Sequence, residues 1–221
     1  MGNEHAFTFA GQRLTALPSG ALWWASAALL VVSDLHLGKS ERLARNGGTL
    51  LPPYETLDTL TRLDADIAAT DPAAVICLGD SFDDMGAADA LESDFRDWIL
   101  RLMRGRDWTW ITGNHDPAPT GLGGHAAEGV TCGPLTFRHI ASDGAAFEVS
   151  GHYHPKAALH VRGRRISRPC FLRDENRLIL PAYGTYTGGL RSGDRALTDL
   201  MATDARAILA GRPMVEIPMP R

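Results

Sequence analysis

Three short apolar runs constrain the fold of this chain of 221 residues more than any other feature. They cover residues 28–32, 73–78 and 108–111, and each one ends abruptly in polar residues. Such runs are typical of strands that are buried on both faces of a parallel sheet. The stretches between them repeat apolar residues with a helical period, over residues 57–67 and 91–103. This alternation predicts an α/β fold in which the central strands end on one side of the sheet.

The flanking regions carry different patterns. Residues 7–9 and 21–24 predict an N-terminal hairpin before the first apolar run. From Leu135 onward, short apolar runs separated by Gly, Asp or Pro predict a second, largely antiparallel sheet. In the tail, only residues 204–209 have the pattern of a helix. No repeat or linker divides the sequence, so we predict a single domain over residues 1–221.

Composition places the chain among ordinary globular proteins. It is 44% hydrophobic and 22% charged, which excludes disordered and collagen-like chains. The longest apolar stretch, residues 21–32, is shorter than the roughly 20 residues that a membrane-spanning helix needs. The N-terminal residues lack the pattern of a secretory signal, and the three cysteines form no C-x-x-C pair. We therefore expect a cytoplasmic protein with reduced thiols and no membrane partner.

The most informative residues are the polar ones that follow the predicted strands. They form an ordered series: Asp34-Leu35-His36, Gly79-Asp80, Gly113-Asn114-His115-Asp116, His139 and Gly151-His152-Tyr153-His154. Strand side chains alternate with a period of two, so each D-x-H or H-x-H pair is expected to point to one side of the sheet. Carboxylate, imidazole and amide ligands suit Mn, Fe, Zn or Ni, and no cysteine belongs to the series. The number of such ligands favours two metal ions over one.

This series resembles the motifs of the calcineurin-like metallophosphoesterases, which run D-x-H, G-D-x-x-D, G-N-H-D/E, an isolated His and G-H-x-H. All five occur in order between residues 34 and 154. The resemblance implies a metallophosphoesterase-type β-sandwich flanked by helices, with a dinuclear metal site at the strand ends. It also implies two ligand sets that share Asp80: Asp34, His36, Asp80 and His154 for the first ion, and Asp80, Asn114, His139 and His152 for the second.

Longer stretches resemble a narrower group, the bacterial ligase-associated DNA damage response endonucleases. These stretches are residues 34–42, 51–54, 151–155 and 182–189, so the resemblance extends over nearly the whole chain. It implies a Mn-dependent phosphodiesterase or DNA endonuclease that is associated in function with a DNA ligase, a helicase and an exonuclease. Members of this group often have His where this chain has Asp83, and a carboxylate there adds negative charge near an anionic substrate. The preference for diesters over monoesters is therefore left open.

The resemblance also implies catalytic roles. Two metal ions would activate a bridging water and hold the phosphate oxygens. His115 would donate a proton to the leaving oxygen or stabilise charge on the phosphoryl group, and Asp83 or Asp116 would orient its ring.

Charge is distributed unevenly along the chain. Residues 1–150 contain 10 Lys and Arg against 20 Asp and Glu, whereas residues 151–221 contain 12 against 6. Two basic groups are candidates for contact with a phosphate backbone: Lys39, Arg42 and Arg45, which recur every three residues, and Arg162, Arg164 and Arg165. A solvated surface is the alternative interpretation for both groups.

Three interpretations of the function remain open. The leading one is a dinuclear-metal phosphodiesterase that acts on nucleic acid, as a DNA endonuclease in bacterial DNA repair. The second is a hydrolase of small phosphate esters or nucleotides. The third is a non-catalytic interaction module with the same fold. The complete ligand set together with His115 argues against the third, because a scaffold has no physical need for so many convergent polar side chains.

Overall fold

Two stacked β-sheets form the centre of the molecule. The computed structural model describes residues 3–40, 54–84, 86–116, 121–144 and 146–221. Apolar side chains from the inner faces of both sheets meet in one buried cluster, which includes Val31, Ile76, Phe137, Val149 and Phe171. Burial of this apolar surface holds the sheets together, and the predicted β-sandwich is confirmed.

Among the described residues, the first sheet has seven strands, which lie in sequence order. They are β1 (His5–Phe9), β2 (Gln12–Ala16), β3 (Leu22–Trp24), β4 (Leu29–Val32), β5 (Ala74–Cys77), β6 (Asp107–Ile111) and β7 (His125–Ala127). The strands from β1 to β4 pair antiparallel, and those from β4 to β7 pair parallel. The three apolar runs therefore form the parallel strands β4 to β6, as predicted. The N-terminal hairpin joins β1 to β2 rather than to β3, which pairs with β2 instead.

The second sheet has eight strands in the part of the chain that the structure describes, and it is largely antiparallel, as predicted. They are β8 (Gly129–Cys132), β9 (Leu135–Arg138), β10 (Glu148–Ser150), β11 (Lys156–Val161), β12 (Arg164–Arg173), β13 (Arg177–Ile179), β14 (Arg206–Leu209) and β15 (Val215–Pro218). Their order is β15-β14-β12-β13-β10-β9-β8, with β11 paired to β12. Strand β10 is parallel to both of its neighbours, β9 and β13.

The helix predicted for residues 204–209 is wrong, because this segment contains β14. Its Ala and Leu residues favour a helix intrinsically. However, β14 lies between β12 and β15, and Ala207, Ile208 and Leu209 are fully buried there. Packing on both faces of the strand outweighs the local preference.

Helices cover the outer faces of both sheets. They are α1 (Glu55–Thr70), α2 (Ala87–Ala90), α3 (Ser93–Met103) and α4 (Arg195–Thr198), with a short 3-10 helix at Ala25–Ala27. Leu60 of α1 and Ile99 of α3 pack against the first sheet, and Leu197 of α4 packs against the second. Leu57 is exposed, because it lies beside rather than within the buried face of α1. No helix in the described part of the chain is long and apolar enough to cross a membrane.

Candidate metal centre

The predicted polar series comes together at one edge of the sandwich. Parallel strands end at the same edge, and the loops that follow β4, β5 and β6 carry the first three motifs. His139 directly follows β9, and the G-H-x-H motif directly follows β10. Backbone hydrogen bonds join these loops, from His36 N to Asp80 O at 2.9 Å and from Gly151 N to His139 O at 3.0 Å. The two sheets therefore deliver their polar residues to a common site.

The predicted ligand residues converge through turns of the backbone, and not through the alternation of strand side chains that was predicted. Asp34, His36, Asp80, His152 and His154 all have positive φ, between 46° and 70°. Residues other than Gly adopt this left-handed conformation uncommonly, although Asp and His do so more often than most. It costs roughly 1–2 kcal/mol per residue for a side chain with a Cβ. The assumption failed because these residues lie in loops beyond the ends of the strands.

The first cluster contains Asp34, His36 and His154, which offer ligand atoms within 4.8 Å of one another. His154 Nε2 lies 3.1 Å from Asp34 Oδ1 and 3.4 Å from His36 Nε2. Asp34 is fully buried, and its Oδ2 accepts hydrogen bonds from the Ser33 hydroxyl and from His152 N. Its Oδ1 has no aligned hydrogen-bond donor among the described residues. A buried carboxylate oxygen that lies close to imidazole nitrogens without an aligned donor is an arrangement that fits a cation.

The second cluster contains Asp80, His139 and His152. His139 Nε2 lies 3.4 Å from Asp80 Oδ2 and 3.2 Å from His152 Nδ1. The Asn114 side-chain oxygen lies 3.0 Å from the same His139 nitrogen. The other ring nitrogen of His139, Nδ1, donates to Leu78 O at 2.7 Å, since a carbonyl only accepts. This contact leaves Nε2 to coordinate a metal, as in many protein metal sites.

Asp83 contacts both His36 and His115, but in different ways. Its Oδ1 lies 3.0 Å from His36 Nδ1, and both side chains are buried. His115 Nδ1 donates to the main-chain carbonyl of Asp83 at 3.0 Å. The carbonyl, and not the carboxylate as the sequence analysis supposed, therefore orients His115. The carboxylate instead contacts His36. Asp83, His36 and His115 also form a third group of side chains that could hold a metal ion.

Asp116 stabilises the loops around the site through its carboxylate. Its two oxygens accept backbone hydrogen bonds from Ser81 at 2.7 Å, Phe82 at 3.1 Å and Gly113 at 3.2 Å. These contacts join the loop after β5 to the loop after β6. Burial raises the pKa of Asp116 to about 6 despite these hydrogen bonds, and the nearby Asp80 charge adds to the rise. The predicted role of Asp116 in orienting His115 is therefore indirect, because it holds the loop and not the ring.

The carboxylates of both clusters are ionised at neutral pH. Burial opposes ionisation of Asp80, but the His139 side chain and the backbone N–H of His115 hold its pKa at about 2. Burial also opposes ionisation of Asp34, and His154 and His139 hold its pKa below the usual value. Each cluster therefore combines a carboxylate anion with imidazole nitrogens, a donor set that suits the borderline divalent ions considered above.

Sequence reasoning missed the glycines that allow the loops to approach so closely. A Cβ on Gly151 would lie 1.8 Å from the Ser33 hydroxyl oxygen, and one on Gly184 would lie 2.1 Å from Leu35 O. It also missed the hydrogen bond from Ser33 to Asp34. The signal for Gly151 was present, since it directly precedes the H-x-H pair.

The basic candidates within the described residues lie in two places. Lys39 is half-buried and lies in a helical segment that begins after the loop that follows β4, whereas Arg42 and Arg45 lie outside the described residues. The exposed Arg162 and Arg164 lie at the turn between β11 and β12. Arg165, the next residue along β12, is also exposed and lines a cleft of about 600 Å³.

Comparisons with known proteins identify relatives over most of the chain. The sequence profile of the calcineurin-like phosphoesterases matches residues 27–192. The crystal structure of the nuclease MPE of Pseudomonas putida is 30% identical and covers 97% of this chain and 100% of its own, with a TM-score of 0.77. Yfce, a phosphoesterase from E. coli, is 12% identical over 87% of this chain and 99% of its own, with a TM-score of 0.42. A search of curated proteins gave no match.

Proposed function

This chain belongs to the calcineurin-like phosphoesterase family and is a metal-dependent phosphoesterase, and we propose that it is an endonuclease that hydrolyses DNA. The similarity to the nuclease MPE carries the proposal, because it extends over both chains almost from end to end. The interpretation as a non-catalytic interaction module is not retained.

We assign the metal ligands as two sets that share Asp80. The first set is Asp34, His36, Asp80 and His154, and the second is Asp80, Asn114, His139 and His152. The mutual distances support Asp34, His36 and His154 for the first set, and Asp80, His139 and His152 for the second. The contact of Asn114 with His139 supports its place in the second set. The place of Asp80 in the first set rests on the resemblance. The ions that we propose are Mn, with Fe, Zn or Ni as alternatives. When bound, they supply Lewis-acid activation of water and stabilisation of charge on the phosphate oxygens.

His115 is the proposed general acid. Its Nδ1 proton is held by the Asp83 carbonyl, so the Nε2 edge of the ring is left to face a substrate. The backbone N–H of His115 donates to Asp80 Oδ1 at 2.8 Å, which places the ring directly beside the proposed bridging ligand. A proton from this ring would neutralise the oxygen that leaves when the phosphodiester bond breaks.

Asp83 does not argue against a diester substrate. From the sequence, a carboxylate at this position adds negative charge near an anionic substrate and leaves the preference for diesters open. The side chain is only 1% exposed, and its Oδ1 lies 3.0 Å from His36 Nδ1, so the carboxylate faces the protein interior and not the solvent. A DNA strand at the site would therefore not meet this carboxylate directly.

The biological setting that we propose rests on the resemblance to the ligase-associated endonucleases. It comprises a role in DNA repair, a functional association with a DNA ligase, a helicase and an exonuclease, and a cytoplasmic location. The exposed Arg162, Arg164 and Arg165 are the proposed contacts to the DNA backbone, together with Lys39, Arg42 and Arg45.

Circular single-stranded DNA is the decisive substrate, because it has no ends from which an exonuclease can begin. We expect wild-type protein with Mn to convert the circles to linear strands and then to fragments. Asp80→Ala should lose this activity, whereas Asp89→Ala, which removes an exposed carboxylate on α2, should retain it.

Parallel assays with bis-p-nitrophenyl phosphate, p-nitrophenyl phosphate and cyclic nucleotides test the second interpretation, and replacement of Mn by Fe, Zn or Ni tests the metal. If the protein hydrolyses the small esters but leaves circular DNA intact with each of the metals, it is a small-ester hydrolase and the nuclease proposal is refuted.

A further inference from the structure

One segment, residues 183–189, connects the two loops that carry the first metal cluster; we call it the bridging segment. At its start, Tyr183 N donates to Ser33 O at 2.7 Å and Gly184 N donates to Asp34 O at 3.0 Å. At its end, Gly189 lies so close to the other loop that a Cβ there would be 2.1 Å from His154 O. The segment therefore begins at the loop that carries Asp34 and ends at the loop that carries His154.

Tyr186 stands out within the bridging segment. Its side chain is 44% exposed, whereas that of Tyr183 is 1% exposed. Its φ is 62°, a conformation that an aromatic residue adopts at an energetic cost. Two residues of chain span at most about 7 Å, so the Tyr186 backbone lies within that distance of Gly184. The segment thus presents an aromatic ring to solvent close to the cluster.

The bridging segment is firmly held by α1. The Arg62 guanidinium donates to Tyr183 O and to the Thr185 hydroxyl, both at 2.8 Å. The Cζ atom of Arg62 lies 4.8 Å from the centre of the Tyr183 ring. Thr185 N donates to the Thr59 hydroxyl at 3.1 Å. Because its neighbours are fixed, Tyr186 would lose little backbone freedom when it binds a ligand.

A cavity of about 410 Å³ lies beside Tyr186, and cationic side chains line it. Lys156 and Arg168 have no ion-pair partner among the described residues. Lys156 Nζ donates to Thr187 O at 3.3 Å, and Arg168 Nη1 donates to Pro213 O at 2.9 Å. Asp58 is the carboxylate that lines the cavity, and Arg62 pairs with it at 3.1 Å. The cavity therefore has a net positive lining next to an exposed aromatic ring.

We propose that Tyr186 and this cavity form a subsite for one unpaired nucleobase of the substrate strand. The base stacks on the Tyr186 ring, and Lys156 and Arg168 face the adjoining phosphates. This proposal rests on the proposed action on DNA and adds a preference to it, because a base that is paired and stacked in a duplex cannot also stack on a side chain. Stacking of one base on an aromatic residue contributes about 1–3 kcal/mol.

The test is the affinity of the metal-loaded protein for a fluorescent single-stranded oligonucleotide, measured by anisotropy with phosphorothioate linkages that resist hydrolysis. A loss of about 1–3 kcal/mol corresponds to a Kd about 5- to 150-fold higher for Tyr186→Ala. Tyr186→Phe keeps the ring face and should bind within about twofold of wild type. Affinity for a blunt duplex should change less than twofold in both variants.

Phe147→Ala is the matched control. Phe147 is also an exposed aromatic residue with positive φ, but it lies at the opposite end of β10 from His152. The Phe147→Ala variant should bind the oligonucleotide with the affinity of the wild-type protein. Equal affinity of Tyr186→Ala and wild type overturns the subsite, and so does a loss that Tyr186→Phe fails to restore.

The two proposals can fail separately. Tyr186-dependent binding by a protein that leaves circular DNA intact would refute the nuclease and keep the subsite. Cleavage of circular DNA with no effect of Tyr186→Ala on affinity would do the reverse. Absence of any oligonucleotide binding by wild type would overturn the subsite directly.

Discussion

Replacement of Gly151 by Ala tests whether close backbone packing fixes the position of Asp34. The φ of Gly151 is outside the left-handed region, so the backbone itself tolerates alanine. The new methyl carbon would lie 1.8 Å from the Ser33 hydroxyl oxygen and 2.6 Å from Asp34 Oδ2. An ordinary contact needs at least 3.4 Å, so the Ser33 side chain or the loop must move by about 1.6 Å. The hydrogen bond from Ser33 to Asp34 cannot survive such a movement unchanged.

The magnitude follows from this geometry. An extra methyl group in a packed interior costs about 1–3 kcal/mol. For a protein of this size, each kcal/mol lowers Tm by roughly 2–4 °C, so we expect a Tm lower by about 2–12 °C. Loss of a partner that orients a metal ligand typically weakens metal binding by about 10- to 100-fold. Thermal denaturation, metal content after dialysis and turnover of bis-p-nitrophenyl phosphate measure these three effects.

Gly188→Ala is the control for this experiment. Its φ is also ordinary, and a Cβ there would meet nothing within 4 Å. We expect it to match wild type in all three measurements. If Gly151→Ala also retained the wild-type Tm, metal content and turnover, the close approach to Ser33 would have no role in fixing Asp34.

Two further predictions concern catalysis and substrate binding. His115→Ala should keep most of its metal, because the backbone N–H of residue 115 still donates to Asp80. Its turnover should fall by about 10²- to 10⁴-fold, because the ring is assigned to proton transfer. Loss of metal with no further catalytic defect would contradict that role. Neutralising Arg162, Arg164 and Arg165 together should weaken DNA binding and leave the turnover of a small diester unchanged. The slope of the logarithm of the binding constant against the logarithm of the salt concentration should become shallower by about 0.9 for each phosphate contact that is lost on duplex DNA. Unaltered DNA affinity at every salt concentration would identify these arginines as solvated surface.

The central fold could be predicted from the sequence because its signal is local. Strand β4 is buried along its entire length, and a strand that is buried on both faces must consist of apolar residues. The polar residues after it could be predicted for the same reason, since a change from apolar to polar marks the strand end. Strand β14 shows the opposite case, because its two neighbours in the sheet come from other parts of the sequence.

The candidate site was predictable in its residues but not in its conformation. The order of the motifs predicted which side chains meet, and the structure brings them together. The left-handed backbone at His152 and His154 has no counterpart in a pattern of residue types. The contact from Arg62 to Tyr183 joins residues 121 positions apart, so no local pattern could reveal it.

The backbone, more than the side chains of the proposed ligands, determines where those residues lie. Asp34 N donates to Gly79 O at 3.2 Å, and His36 N donates to Asp80 O at 2.9 Å, so the hydrogen bonding between β4 and β5 continues beyond the strand ends into the ligand loops. Such bonds remain when a ligand side chain is shortened, and the neighbouring ligands should then keep their places. A methyl group on Gly151 acts on the backbone contact instead and displaces residues that it does not replace. Substitutions at the glycines should therefore disturb the centre more widely than substitutions at a single ligand.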